Sequence, residues 1–191
     1  MEKKYIIVNI GSTSKRYAFF NGEEQKSFAH FEKDETSESD FSNACEKFLE
    51  SKSVDKKEIS GIGLRVVASG SYFRKNRIID EEYLENLKKA EEKAPLHLHP
   101  LIEEINKLKK LLPNTPITGI SDSAFHSDLP KHSFLYNIPQ KDAEAGDIYR
   151  FGYHGIAIES ILQKIQEEEG SVPSKIIIAH LGGGASVTAI K

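Results

Sequence analysis

The sequence predicts an α/β fold, in which a mixed β-sheet is flanked by helices. Three strand-like runs joined by short turns open the chain, and later strand-like runs alternate with segments of helical periodicity. The order is βββαβαβα, followed by the start of a further hairpin. Hairpin-linked strands that are followed by α/β crossovers indicate a mixed sheet covered by helices.

The predicted strands are rich in β-branched and aromatic residues, as in the run YIIV, and polar or glycine-bearing turns separate them. They cover residues 4–10, 15–21, 25–31, 59–67, 116–120 and 175–179, with a returning strand from 187 to 190. That returning strand has little sheet left to join, so we expect the chain to stop at the start of a second domain.

The predicted helices carry apolar residues at a period near 3.6. They cover residues 40–52, with Asp40 as N-cap, then 81–92, 98–112 and 154–169, with Gly170 at the end. Residues 127–150 are expected to form a loop.

Composition narrows the class of protein and its partners. With 191 residues, 38% hydrophobic and 29% charged, the chain can bury a core and keep a well-solvated surface. The net charge is −3 and no long basic run occurs, which argues against nucleic acid as partner. The single cysteine, Cys45, excludes an internal disulfide framework. Apolar runs are too short for a signal peptide or a membrane span, so we expect a cytoplasmic protein without a membrane partner.

Two turns carry groups that suit phosphate oxygens. The first, in NIGSTSKRYAFF, presents polar and cationic side chains, namely Asn9, Ser12, Thr13, Ser14, Lys15 and Arg16. The second, LGGGAS, has three consecutive glycines that allow the backbone close to a ligand. Together they indicate that the phosphates of a nucleotide are held between them. The alternative for each is an ordinary hairpin turn.

Three further residues are candidates for chemistry at strand ends. Arg65 ends an apolar strand and suits a carboxylate or phosphate, although a structural salt bridge would also explain it. Asp122 follows a strand, where ligands collect in open α/β sheets, or it serves as an N-cap. His154 precedes a helix and either donates to a bound anion or acts only as a cap.

A zinc site is an alternative interpretation. His97 and His99, together with His126 or His154, would supply imidazole ligands for a histidine-zinc hydrolase. The sequence contains neither an HExxH motif nor a cysteine pair, which argues against that interpretation.

Taken in order, the segments NIGSTSKRY, GLRVVASG, APLHLHP, SDSAFHSDLP, YRFGYHG and HLGGGAS resemble the acetate kinase (acetokinase) family. That family belongs to the actin-like, ribonuclease H-like phosphotransferase superfamily. The resemblance implies direct in-line transfer of the γ-phosphoryl between ATP and a short carboxylate, with Mg²⁺ bridging phosphates. Acetate is the implied acceptor, and propionate or butyrate would replace it if the pocket is larger.

The resemblance also implies roles for individual residues. Arg65 would hold the substrate carboxylate and share the charge of the phosphoryl group, Asp122 would orient the acceptor, and His154 would stabilise the equatorial oxygens. The pocket for the methyl group would consist of Val67, Leu96 and Tyr153. Asn9 matches the magnesium-associated asparagine. The phosphate-binding turns would contribute Ser12, Ser14, Arg16, His180, Leu181, Gly182, Gly183 and Gly184.

The chain departs from the family pattern at several positions. Gly183 replaces an asparagine, Arg16 a lysine and Tyr153 a phenylalanine, and residues 156–158 are apolar where the family has Thr-Ser-His. The tyrosine adds a hydroxyl beside the methyl pocket and leaves the substrate size open. These changes spare Asn9, Arg65, Asp122 and His154 but reduce the polar groups around them.

The resemblance further implies a longer protein, whose second domain carries the adenosine site, another arginine and a magnesium-linked glutamate. We expect residues 1–173 to form the N-terminal, substrate-side domain and residues 174–191 to begin the nucleotide-binding domain. Such a chain would have little kinase activity alone and would need a complementing C-terminal half, or act as a homodimer. The alternative is a non-catalytic binding or regulatory relative that kept the fold.

Overall fold

The computed structural model describes residues 2–92, 94–182 and 184–191, apart from the side chain of His97. The strands are β1 (Lys4–Ile10), β2 (Ser14–Asn21), β3 (Glu24–Glu32), β4 (Ile59–Val66), β5 (Arg77–Ile78), β6 (Ile117–Ser121), β7 (Ile176–Leu181) and β8 (Ala185–Ile190). The helices are α1 (Glu38–Ser42), α2 (Ala44–Ser51), α3 (Glu81–Glu91), α4 (Pro95–Leu111), α5 (Lys131–Phe134), α6 (Gln140–Gly146) and α7 (Gly155–Glu169). Short 3₁₀ segments cover Lys56–Glu58, Ser71–Phe73 and Ala124–Asp128.

The chain forms two compact units. Unit 1 consists of Met1–Ala68 and Asn76–Ile120, and unit 2 consists of Ser69–Lys75 and Ser121–Lys191. The domain boundary predicted between residues 173 and 174 concerns a further domain, and it stays a prediction.

Six strands form a mixed sheet in the order β3-β2-β1-β4-β6-β5. β1 pairs antiparallel with β2, where Asn9 lies opposite Arg16, and parallel with β4 on its other side. The predicted mixed sheet is therefore confirmed, including the three opening strands. Among the strands that the structure describes, the two-residue β5 alone was not predicted, because so short a strand carries no periodic pattern.

The core of unit 1 follows from the alternation of side chains along its strands and from the apolar stripes of its helices. In β1, Ile6 and Val8 are fully buried. The predicted stripe of α4 is also buried, with Leu101, Ile105, Leu108 and Leu112 all at most 3% exposed. Leu112 is the C-cap residue of that helix.

Helix boundaries differ from the predictions at three places. The predicted N-cap Asp40 is wrong, since the hydroxyl of Ser37 accepts from the Asp40 amide and caps α1. Asn43 then separates α1 from α2. α4 begins at Pro95 rather than 98, because proline is tolerated in the first turn. The expected loop 127–150 contains the short helices α5 and α6.

Unit 2 contains α7 and the two-stranded sheet of β7 and β8. α7 ends at Gly170, whose φ of 77° satisfies the left-handed geometry of a helix C-terminus, as predicted. Of its predicted apolar stripe, Ile158 is buried, whereas Ile161 is 39% exposed. Among the described residues, no helix has the length and apolar character that crossing a membrane requires.

Candidate functional site

The turn between β1 and β2 presents several predicted phosphate ligands to solvent. The amide of Gly11 donates to the Ser14 carbonyl at 2.8 Å and closes the turn. Ser12 and Arg16 are exposed, and Ser14 is half-buried. The tip therefore offers hydroxyl groups and a guanidinium that an incoming anion can reach.

Lys15 does not belong to that polar tip. It is 5% exposed, and its Nζ lies 2.7 Å from Oε2 of Glu104 on α4. The Tyr17 hydroxyl donates to the other oxygen of the same carboxylate at 2.8 Å, and burial raises the Tyr17 pKa. The sequence interpretation that grouped Lys15 with the phosphate-binding side chains is thus wrong. Strand alternation, which places Lys15 on the same face as Tyr17, was the signal that would have shown it.

Arg65 and Asn9, both in unit 1, lie together on neighbouring strands. Arg65 is half-buried near the end of β4, and its Nη1 donates to Oδ1 of Asn9 at 3.3 Å. The structure therefore brings together the residue predicted to hold the carboxylate and the residue predicted to associate with magnesium.

Two residues of the predicted methyl pocket lie in unit 1, and both are exposed. Val67 follows β4 and is 38% exposed. Leu96 lies in the first turn of α4 and is 79% exposed. Apolar side chains this exposed are available to contact a ligand.

In unit 2, Asp122 follows β6 and is 2% exposed. Its Oδ2 accepts from the His154 amide at 3.1 Å and its Oδ1 from the Ile156 amide at 3.3 Å. Its backbone carbonyl accepts from the Gly155 amide at 2.9 Å. Asp122 thus receives the first N–H groups of α7, which stabilise negative charge at a helix N-terminus.

This close approach requires glycine at position 155. A Cβ at Gly155 would lie 2.4 Å from the Asp122 carbonyl oxygen and 2.7 Å from Cβ of Phe125. The glycine therefore allows the start of α7 to contact the loop that carries Asp122.

His154 adopts left-handed geometry, with φ of 63°, immediately before α7. Its ring stacks on that of His180, with centroids 4.3 Å apart. Its Nδ1 lies 2.9 Å from Oγ of Ser186. The sequence predicted His154 and His180. Ser186 ends the HLGGGAS motif but was given no role, because its contact with His154 depends on how β8 pairs with β7.

The segment before His154 is held by a second imidazole. His126 is 7% exposed, and its Nε2 lies 3.0 Å from the Tyr153 carbonyl oxygen. Gly152 has φ of 75°, and a Cβ there would lie 2.6 Å from the His126 ring. Tyr153, the third residue of the predicted methyl pocket, is 39% exposed, and partial burial raises its pKa.

The loop Ser69–Lys75 is tied to other parts of unit 2. Oδ2 of Asp147 accepts from the Ser71 amide at 2.8 Å, and Oδ1 accepts from the Ser71 hydroxyl. The Arg74 guanidinium donates to the carbonyls of His126 and Ser127. This network supports the loop that follows Asp122, and sequence reasoning missed it.

The second glycine turn lies between β7 and β8. Leu181 is 78% exposed, and Gly182 and Gly184 are exposed, whereas Gly183 lies outside the described residues. Within the described part of the chain, no group of three or more His, Cys, Asp or Glu side chains is placed to hold a metal ion. The zinc alternative also involved His97, whose side chain is not described.

The sequence from residue 4 to residue 191 matches the model of the acetokinase family. The chain belongs to that family. An acetate kinase of Carboxydothermus hydrogenoformans is 41% identical over 136 residues, which are 70% of this chain and 34% of that enzyme. An acetate kinase of Clostridium kluyveri is 38% identical over 138 residues, covering 71% of this chain and 34% of the other.

Solved structures of acetokinase-family enzymes share the fold. A propionate kinase from Francisella tularensis superposes with a TM-score of 0.81 at 26% identity, over 99% of this chain and 55% of that one. An acetate kinase from Entamoeba histolytica gives 0.77 at 28% identity, over 98% and 52%. The predicted actin-like fold is thereby confirmed. This acetokinase-family chain matches about a third of the length of its curated relatives and about half that of the solved structures.

Proposed function

We propose that this chain provides the carboxylate-binding side of an acetate-kinase-type phosphotransferase, which moves the γ-phosphoryl of ATP reversibly to acetate. Propionate and butyrate are alternative acceptors, since Tyr153 adds a hydroxyl near the proposed methyl pocket. The main support is the buried Asp122 carboxylate, which accepts hydrogen bonds from the backbone amides of His154 and Ile156 at the start of α7. Family membership supplies the reaction type.

Asp122 acts by positioning the acceptor. Acetate is already ionised at pH 7, because such carboxyl groups have pKa values of about 4, so it needs no base. The two amide hydrogen bonds fix the Asp122 carboxylate in one orientation. Held in this way, the Asp122 carboxylate orients the substrate and the ligands around the metal, rather than removing a proton.

Arg65 and Asn9 bind the charged groups of the reaction, namely the substrate carboxylate and Mg²⁺. The planar guanidinium of Arg65 presents several N–H donors, of which one contacts Asn9, and its fork suits a carboxylate. Asn9 Oδ1 has a second lone pair that fits a Mg²⁺ ion or its water. Bound together with ATP, Mg²⁺ would neutralise negative charge on the phosphates, and Asn9 would contact the ion or its water.

The two turns bind the nucleotide phosphates in this proposal. Ser12, Ser14 and Arg16 contribute from the first turn, and Val67, Leu96 and Tyr153 contact the methyl group of the acceptor. His154 donates to the transferring group. The second turn contributes backbone and side-chain groups of His180, Leu181, Gly182, Gly183 and Gly184. A cytoplasmic location stays a prediction.

A complementing polypeptide completes the enzyme. One face of the β7–β8 hairpin is apolar and exposed, with Ile177 72%, Leu181 78% and Val187 71% exposed. A contiguous apolar face of this kind marks an interaction surface. We propose that it packs against a C-terminal half of acetokinase type, with a homodimer as the alternative, and that the chain alone has little kinase activity.

The test is acetyl phosphate formation from Mg-ATP and acetate. The chain is assayed alone and with the C-terminal part of the Carboxydothermus hydrogenoformans acetate kinase that lies beyond the matched region. We expect turnover only in the mixture, and loss of at least about 100-fold on Arg65→Ala, because electrostatic groups at a transferring phosphoryl supply about that much. Arg77→Ala, at an exposed arginine of β5, is the matched control.

Two results would contradict the proposal. Steady turnover by the chain alone would refute its dependence on a second half. If the two polypeptides associate but the Arg65→Ala and Arg77→Ala variants form acetyl phosphate at the same rate, the chain is a non-catalytic relative that kept the fold.

A further inference from the structure

We propose that Ser186 is a positioning residue, which fixes the neutral His154 imidazole in the tautomer that carries its proton on Nε2. The inference deepens the proposed function, because it rests on His154 donating to the transferring phosphoryl group. It concerns the last residue of the HLGGGAS motif, to which the sequence analysis gave no role.

One cross-strand pair of the hairpin holds the His154 ring on two sides. His180 on β7 lies opposite Ser186 on β8 in the antiparallel register. The His180 ring stacks on the face of the His154 imidazole, at 4.3 Å between centroids and 17° between planes. Ser186 Oγ contacts the edge of the same imidazole, 2.9 Å from Nδ1. Face and edge are therefore both restrained by adjacent strands.

The backbone of His154 is restrained as well. Its amide donates to Oδ2 of Asp122 at 3.1 Å, and its φ of 63° places it in the left-handed region at the start of α7. The backbone and the ring of His154 are thus both held in place. The next question is which ring nitrogen of the neutral imidazole carries the proton.

The opposite edge of the ring faces the glycine turn. A Cβ at Gly184 would lie 3.3 Å from Nε2 of His154, so a side chain at position 184 would crowd that nitrogen. Glycine at this position avoids that crowding. Phosphate oxygens only accept hydrogen bonds, so a group that approaches from this side requires a proton on Nε2.

The Ser186 hydroxyl supplies the matching donor. A neutral imidazole has one donor and one acceptor nitrogen, and the partner of one nitrogen sets the role of the other. When the hydroxyl donates to Nδ1, that nitrogen must be the acceptor and Nε2 carries the proton. Without the hydroxyl, nothing in this contact opposes the other tautomer.

The test is long-range ¹H–¹⁵N correlation on the histidine-labelled chain at about pH 8.5, two units above the ordinary imidazole pKa of about 6.5. His154→Gln assigns the His154 signals by their loss. We expect a protonated Nε2 and an unprotonated Nδ1 whose shift shows hydrogen-bond acceptance. Ser186→Ala should abolish that acceptance shift and raise the Nδ1–H population several-fold.

Ser186→Thr keeps the hydroxyl and should restore the wild-type pattern, whereas Thr188→Ala removes a hydroxyl two residues along the same strand and should leave it unchanged. A wild-type chain with its proton on Nδ1 overturns the proposal, as does an unchanged pattern in Ser186→Ala. The wild-type spectrum decides the first point even if a variant does not fold.

The spectra need no turnover, so this result is independent of the kinase assay. A chain that shows the Nε2–H tautomer but forms no acetyl phosphate with its complement contradicts the proposed function and not the role of Ser186. In the active mixture, Ser186→Ala should lower kcat more than it changes KM for acetate.

Discussion

The two glycine-bearing hairpins have similar sequences but different surroundings. The β1–β2 hairpin belongs to the six-stranded sheet, where Val8 is fully buried and Tyr17 is 1% exposed. The β7–β8 hairpin forms a two-stranded sheet, and Val187 is 71% exposed. A two-stranded hairpin is marginally stable by itself. The first hairpin is therefore covered on its core side by unit 1, whereas the second buries Ile178 but leaves the face with Val187 exposed.

Their polar groups differ in the same way. In the first hairpin, the Lys15 side chain points into the core and forms a buried ion pair with Glu104. In the second, His180 and Ser186 turn toward His154 and restrain a proposed catalytic side chain. Lys15 thus belongs to a buried ion pair, whereas His180 and Ser186 are half-buried and contact His154, although all three lie near glycine-bearing turns.

The largest expected effect is on the ion pair that anchors the first hairpin. Glu104→Ala leaves Lys15 buried without its carboxylate, which typically costs about 3–5 kcal/mol of unfolding free energy. Glu58→Ala breaks the pair with Lys4 at the surface and should cost less than about 1 kcal/mol. Urea unfolding measures both. Equal losses in the two variants would remove the distinction between the core pair and the surface pair.

The next effect compares two glycines of unit 2. Gly155→Ala places a methyl group 2.4 Å from the Asp122 carbonyl, and overpacking of this kind costs about 1–3 kcal/mol. Gly182→Ala meets nothing closer than 3.6 Å and should be nearly neutral. Thermal unfolding of both variants checks this. A neutral Gly155→Ala would mean that α7 does not need this close contact.

A matched pair of valines tests the hairpins directly. Val8→Ala removes fully buried methyl groups and should cost about 2 kcal/mol, whereas Val187→Ala should change stability by less than about 0.5 kcal/mol. Adding the complementing half should make Val187→Ala costly through weaker association. Chemical denaturation and calorimetric titration give the two numbers. A large loss of unfolding free energy in Val187→Ala, measured on the chain alone, would contradict the exposure of this face.

The smallest expected effect on stability at neutral pH concerns the thiol of Cys45 on α2, which is buried in the same unit as the first hairpin. Burial, with a further contribution from Glu104, raises the thiol pKa from 9.0 to about 12. Because the thiolate is the reactive form, alkylation at pH 8 should be slow in the folded chain and fast in urea. The unfolded thiol ionises first, so the thiol's contribution to stability is complete below pH 9.0 and falls as the pH rises toward 12. Fast alkylation without urea would show that Cys45 is accessible.

The strands and main helices could be predicted from sequence because their signals are local. The β-branched runs of 4–10 and 15–21, and the glycine that ends α7, act within a few residues. Family motifs predicted Asp122 and His154 in the same way, and the structure shows one hydrogen bond between them, from the His154 amide to the Asp122 carboxylate.

What could not be predicted depends on partners far along the chain. Lys15 meets a carboxylate 89 residues away, and Ser71 meets Asp147 76 residues away. Ser186 contacts His154 only because β8 pairs with β7 in one register. The N-cap of α1 was assigned to Asp40, although Ser37 has equal capping chemistry three residues earlier, so local preference could not decide between them.

The most direct test of the central proposal is binding of acetate by the chain itself. Acetate is titrated into the ¹⁵N-labelled chain in the millimolar range, where weak binding of so small a ligand falls. We expect saturable amide shifts at Asn9 and Arg65 that Arg65→Ala abolishes and Arg77→Ala preserves. Shifts that do not saturate, or that persist unchanged in Arg65→Ala, would contradict a carboxylate site at Arg65.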